Sequence, residues 1–167
     1  MILKGKARRL PQDDDINTDY IISGRYQFKI QDPNELAKHV MEDLDPKFFS
    51  RVEKGDFIVV GTNFGCGSSR EQAPMAIKYA GISAVLAKSF ARIFYRNCFN
   101  LGLLAIECDT DKLRDGDELQ IDLESGIVFD VSTGEKISIP PLPKTMRILL
   151  EDGGLVEHFK KHGGFKI

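Results

Sequence analysis

Three short apolar runs punctuate the middle of the chain: Phe57–Val60, Ala84–Ala87 and Leu103–Ile106. None is interrupted by a polar residue, the pattern of strands buried on both faces. Between the first two, Ala73, Ala76, Ile77 and Ala80 keep helical spacing up to Gly81, which predicts a helix closed by a C-terminal glycine. Between the second and third, Phe90–Asn97 predicts another helix, with Gly102 beyond its end. Strand–helix–strand–helix–strand predicts an α/β fold with a small parallel sheet, right-handed crossovers and flanking helices.

The flanks read differently. Residues 1–10 predict a strand running into the polar turn Pro11–Asp15, and residues 20–30 are mixed, with a loop at Ser23–Gly24. Asp32-Pro33-Asn34-Glu35 marks a helix start. Asp32 suits the N-cap, Pro33 the first position, and Glu35 would complete a capping box. That helix should run to about Met41, with Leu36 and Val40 on one face. After Cys108, Leu119, Ile121 and Leu123 alternate with polar residues, and Val128, Ile137 and Ile139 continue in short pieces around Gly126 and Gly134. This predicts a small antiparallel β unit. Pro140–Pro143 is a stiff connector to two short helices, over 144–152 and 154–161.

At 167 residues the chain is expected to form one domain, 1–167, with a single core. Its 23 basic and 25 acidic side chains leave a net charge of −2. No strong cationic field exists for nucleic acid. No apolar run approaches the roughly 18 residues of a membrane span, and the N-terminus lacks a signal-like apolar stretch. A cytoplasmic location is therefore expected. Cys66, Cys98 and Cys108 are odd in number and form no C-x-x-C, which argues against a disulfide framework. Cys98 and Cys108 read as core residues, and Cys66 as a small buried residue or an oxidisable thiol. His158 and His162, four apart, read as a solvated, charged helix end. No metal site is expected in this chain.

The segment with chemical potential is Gly61-Thr62-Asn63-Phe64-Gly65-Cys66-Gly67-Ser68-Ser69-Arg70-Glu71. Glycines allow positive φ and close approach of a ligand. With Ser68 or Ser69 at the N-cap of the following helix and Arg70 in its first turn, the segment would favour a carboxylate or phosphate. It lacks the lysine of a phosphate loop, the third glycine of a dinucleotide fingerprint and the nucleophile elbow. A cap with a surface arginine is the plainer alternative. Asp13-Asp14-Asp15-Ile16-Asn17-Thr18-Asp19 admits two readings: a solvated acidic turn, or a stretch that places Asp19 beside Arg70. Arg92 and Arg96, one helical turn apart, fit a docking surface or plain solvated charge.

Taken together, Asp14–Ile22, Gly61–Ala73 and Ala87–Asn97 resemble the 3-isopropylmalate dehydratase small-subunit family of the aconitase superfamily, and the likeness runs through Asp115-Gly116-Asp117 to Gly153-Gly154-Leu155. The resemblance implies a swivelling β/β/α domain, as in the aconitase C-terminal domain, that closes over an active site. It implies a heteromer with a large subunit that carries a 4Fe–4S cluster, no cofactor in this chain, and a hydroxy-dicarboxylate substrate isomerised by dehydration and rehydration in leucine biosynthesis. Ser68 matches the family's catalytic base and Asp19 an active-site aspartate. Arg70 matches the arginine on a substrate carboxylate, and Ser69 an accompanying site residue. The loop Gly24–Lys29 is where the family reads the variable end of the substrate. Phe28 suits an isopropyl or methyl group, whereas Lys29 could reach an extra carboxylate. Isopropylmalate is therefore expected, with citramalate or homoaconitate, or a non-catalytic anion-binding module, as alternatives.

Overall fold

The computed structural model describes residues 1–167. Its centre is one seven-stranded sheet in the order β4-β3-β2-β1-β5-β6-β7. The parallel part comprises β1 (Ile2–Arg8), β2 (Phe57–Val59), β3 (Ala84–Ala87) and β4 (Leu104–Glu107). The antiparallel part comprises β5 (Glu118–Asp122), β6 (Ile127–Asp130) and β7 (Lys136–Ser138). The two units expected separately are thus continuous, and β1 joins them. Its first five residues pair antiparallel with β5, and Ala7 and Arg8 pair parallel with β2. No local pattern announces this, because one strand divides its length between two partners.

Every residue of β2 and β3 is buried, as the uninterrupted apolar runs require. Each large side chain among them contributes about 1.5–3 kcal/mol of burial. In β5 the alternation is visible instead: Leu119 and Ile121 point inward between less buried neighbours.

The helices are α1 (Thr18–Ile21), α2 (Gly24–Gln27), α3 (Pro33–Ala37), α4 (Phe48–Arg51), α5 (Gln72–Tyr79), α6 (Arg92–Leu101), α7 (Lys144–Glu151) and α8 (Leu155–His162). Asp32 caps α3 by accepting from the Asn34 N–H, but Glu35 pairs with Lys38 instead of closing a capping box. The helix stops at Ala37, short of the expected Met41: the His39 and Val40 N–H groups take the tighter bonds to Leu36 and Ala37, and Met41 then takes the left-handed conformation (φ +56°). From there its N–H reaches the Ile21 carbonyl at 2.8 Å. α6 starts two residues after Phe90 and buries Phe94, Cys98 and Phe99. Gly102 ends it at φ +79°, with the Leu103 N–H on the Cys98 carbonyl.

His158 departs from expectation: it is fully buried. Its Nδ1 lies 2.7 Å from Asp152 Oδ2, His162 Nε2 lies 2.9 Å from the same oxygen, and Lys161 Nζ holds Oδ1 at 2.7 Å. The Gly153–Gly154 turn folds α8 back onto the end of α7, so Asp152 gathers partners that sequence spacing does not connect. Lys161 first, then His158, hold the Asp152 carboxyl well below the usual range.

Candidate active site

The acidic stretch and the glycine loop are laced together. Asp14 Oδ1 accepts from the Thr62 N–H (2.7 Å) and hydroxyl (3.1 Å), which keeps its pKa below the ordinary value. Asp15 accepts from Asn63 Nδ2 at 2.9 Å, the Gly65 N–H bonds the Ile16 carbonyl, and the Thr18 N–H bonds the Cys66 carbonyl. Asp14 and Asp15 therefore act as clasps within an exposed turn. Asp13 meets Arg9 at 3.3 Å.

Gly65 shows why this loop carries glycine. Its φ is +82°, and a Cβ there would lie 2.2 Å from Phe94 Cγ. Phe94 in turn packs edge-on to Phe64 at 5.2 Å. Gly65→Ala is expected to destabilise the fold by about 2–5 kcal/mol, combining backbone strain with overpacking. Urea denaturation of the purified chain measures this, and a loss below about 1 kcal/mol would mean the loop yields freely.

Ser68 and Ser69 do not cap the following helix, contrary to the sequence reading. α5 begins at Gln72 with Glu71 at its N-cap and no side-chain cap. Two causes are visible. The Ser68 carbonyl is taken by the Thr18 hydroxyl at 2.8 Å, and Pro74 has no N–H to offer the Arg70 carbonyl, so helical bonding cannot extend back through Arg70. Pro74 was the available signal. Ser68, Ser69 and Arg70 instead line a cleft of ≈ 200 Å³ together with Thr18 and the first turn of α6, Ala91–Phe94. The helix end facing the cleft is therefore that of α6, whose leading N–H groups lack intrahelical partners. Thr18, Ala91 and Asn97 were not anticipated as part of this wall. A larger hollow, ≈ 340 Å³, lies by Lys4, Lys6 and Glu53, away from these residues and with Lys6 and Glu53 paired across it.

Arg70 and Asp19 do meet. Arg70 NH1 donates to Asp19 Oδ1 at 2.9 Å and to the Ile22 carbonyl at 3.3 Å, and the Gly24 N–H also reaches Asp19 Oδ1. Arg70, then the Gly24 N–H, hold the Asp19 carboxyl below its usual value. Asp19 is thus an anion that orients a guanidinium. The arginine is mostly covered (17% exposed) and the carboxylate open (62%). Ser68 and Ser69 are exposed to solvent.

Phe28 and Lys29 lie outside the cleft wall, just past the end of α2. Phe28 is 82% exposed and Lys29 has no ion-pair partner. α2 nevertheless starts at the site, since Gly24 abuts the Asp19–Arg70 pair. Of the cysteines, Cys98 is buried in the core, Cys66 and Cys108 are half-buried, and all three are free. Burial pushes the Cys108 thiol up to about 12 and raises Cys98 and Cys66 as well.

Residues 15–111 match the family described as the aconitase C-terminal domain. A protein of Archaeoglobus fulgidus named 3-isopropylmalate dehydratase small subunit 1 is 57% identical over 148 residues, 88% of this chain and 91% of its own length. The 3-isopropylmalate dehydratase small subunit of Caldicellulosiruptor bescii is 51% identical over 96% of both chains. The crystal structure of 3-isopropylmalate dehydratase from Methanocaldococcus jannaschii superposes with a TM-score of 0.91, at 48% identity, covering 98% of this chain and 96% of that one. The motifs, the fold and the extent of these matches agree: the chain belongs to the aconitase C-terminal domain family, as a small subunit of 3-isopropylmalate dehydratase.

Proposed function

We propose that this chain supplies the base and a carboxylate clamp to an active site completed by a large subunit. The observation carrying this reading is the placement of Ser68 and Arg70 on one wall of a single cleft that stands open to water. Ser68 Oγ takes the proton from the carbon beside the hydroxyl-bearing carbon. Loss of that hydroxyl leaves an alkene, and readdition in the other sense gives the isomer. Arg70, oriented by Asp19, holds a substrate carboxylate, and Ser69 lies beside it.

A serine hydroxyl needs about 1.4 kcal/mol for each unit of pKa depression. A helix terminus typically supplies about 0.3–1 kcal/mol, falling off within a turn, and Ser68 lies outside the first turn of α5. The remainder has to come from Arg70, from partner groups and from exclusion of water, where charge interactions strengthen. Closure against the large subunit supplies the last two. A 4Fe–4S cluster does not fit the thiols of this chain, which are not gathered into one group. We assign that cluster to the large subunit. No helix is long and apolar enough to cross a membrane.

Phe28 presents an apolar face for the isopropyl group of 2-isopropylmalate, or the methyl group of citramalate. Lys29, uncommitted to any acid, favours the second reading, in which an extra carboxylate as in homoaconitate is held there. Comparing kcat/KM of the reconstituted pair on isopropylmalate and homoaconitate decides between them. Preference for isopropylmalate is expected, and preference for homoaconitate would refute the argument from Phe28.

A further inference from the structure

α2 gives no buried residue to the core, yet it begins at the Asp19–Arg70 pair and ends beside Phe28. Tyr26 and Ile30 reach the core only in part. The helix is held instead by side-chain contacts to the 39–43 turn. The Tyr26 ring lies flat on the His39 imidazole, with centroids 3.9 Å apart and planes 16° apart. Arg25 donates to Asp43 Oδ1 at 2.7 Å and sits over the same Tyr26 ring at 5.3 Å. Glu42 contacts His39 Nδ1 and also accepts from the Tyr26 hydroxyl at 3.4 Å, which fixes the imidazole under the ring.

The turn beneath is itself anchored. Met41 is fully buried, its N–H bonds the Ile21 carbonyl, and its own carbonyl takes the Leu44 and Asp45 N–H groups. Arg51 then holds the Asp45 carboxylate at 2.6 Å. A firm platform therefore carries a loop held at its start by the Gly24 N–H on Asp19 and along its length mainly by the stacked ring pair, the Arg25–Asp43 ion pair and partial packing of Tyr26 and Ile30. The ion pair is exposed and contributes little; the ring pair is the stronger constraint.

We infer that His39 is a positioning residue for substrate selectivity: its ring, oriented by Glu42, sets where Phe28 stands when the enzyme closes on the variable end of the substrate. The inference rests on the reading of Phe28 given above. Without the stack, α2 has to be ordered at the moment of binding, so the loss falls on KM. Ser68 and Arg70 are carried by a different segment, and Asp19 and the Ile22 carbonyl that hold Arg70 precede α2 beside the fully buried Ile21 and Ile22, so kcat is expected to hold.

The test uses the chain reconstituted with its large subunit, with 2-isopropylmalate and citramalate as substrates. His39→Ala is expected to lower kcat/KM for isopropylmalate about 3- to 10-fold through KM, with kcat unchanged within about twofold. The isopropylmalate-to-citramalate preference should fall with it. His39→Phe, which keeps a flat ring over Tyr26, should restore both. Phe28→Ala is measured alongside. If Phe28→Ala shifts the preference and His39→Ala does not, the positioning role is overturned and the reading of Phe28 stands. If Phe28→Ala leaves the preference unchanged, that reading fails and the inference fails with it. A His39→Ala loss carried by kcat and shared equally by both substrates would also overturn it.

Discussion

Ser68→Ala in the reconstituted enzyme is expected to lower kcat by about 10²–10⁴, the usual contribution of a positioned proton acceptor. Assembly and thermal stability should be unchanged. The structure separates the two effects. The part of Ser68 that holds the fold is its carbonyl, which accepts from Thr18, and alanine retains it. The side chain is exposed on the cleft wall, so its removal should cost less than about 0.5 kcal/mol. Steady-state turnover and size-exclusion chromatography of the complex measure the two. Turnover within about fivefold of the parent, with assembly intact, would favour a non-catalytic anion-binding wall.

Arg70 carries the second large effect, and its variants should not be equivalent. Arg70→Lys keeps the charge but loses the fork that reaches Asp19, the Ile22 carbonyl and a substrate carboxylate together. Losing a charged hydrogen bond of about 1.5–3 kcal/mol predicts a drop in kcat/KM of about 10- to 150-fold. Arg70→Ala should be worse, because it leaves Asp19 without its principal partner. The Asp19 pKa then moves up towards the ordinary carboxylate value, but stays well below 7, so an uncompensated anion faces the incoming substrate anion. Adding Asp19→Asn to Arg70→Ala should recover part of the loss. Equal activity of the single and double variants would show that the uncompensated Asp19 charge is not what makes Arg70→Ala worse.

The parallel half of the fold was legible because buried strands cannot tolerate polar residues: the runs at 57, 84 and 103 mark β2, β3 and β4 to within a residue or so. The antiparallel half was legible from alternation, as in Leu119 and Ile121. The union of the halves was not, since it depends on β1 dividing its pairing between two strands. In the site, the sequence left the acidic stretch open between a solvated turn and a placement of Asp19 beside Arg70, and the structure brings those two within 2.9 Å. The sequence did not show that Thr18 ties down the serine carbonyl, because nothing in spacing links residues fifty apart. The short helices α1, α2 and α4 also escaped, being too brief for a periodicity and held by caps such as Asn17 and Ser23. His158 looked solvated because its charged neighbours are close in sequence, whereas Lys161 and His162 converge with it on Asp152.

As proposed above, this chain holds only part of a reaction chamber. The most direct measurement adds purified, cluster-loaded large subunit stepwise to this chain and follows the alkene formed from 2-isopropylmalate by ultraviolet absorbance. No turnover is expected from the chain alone, with activity rising as the complex forms and levelling off once the chain is fully bound. Measurable isomerisation by the isolated, cluster-free chain would contradict it.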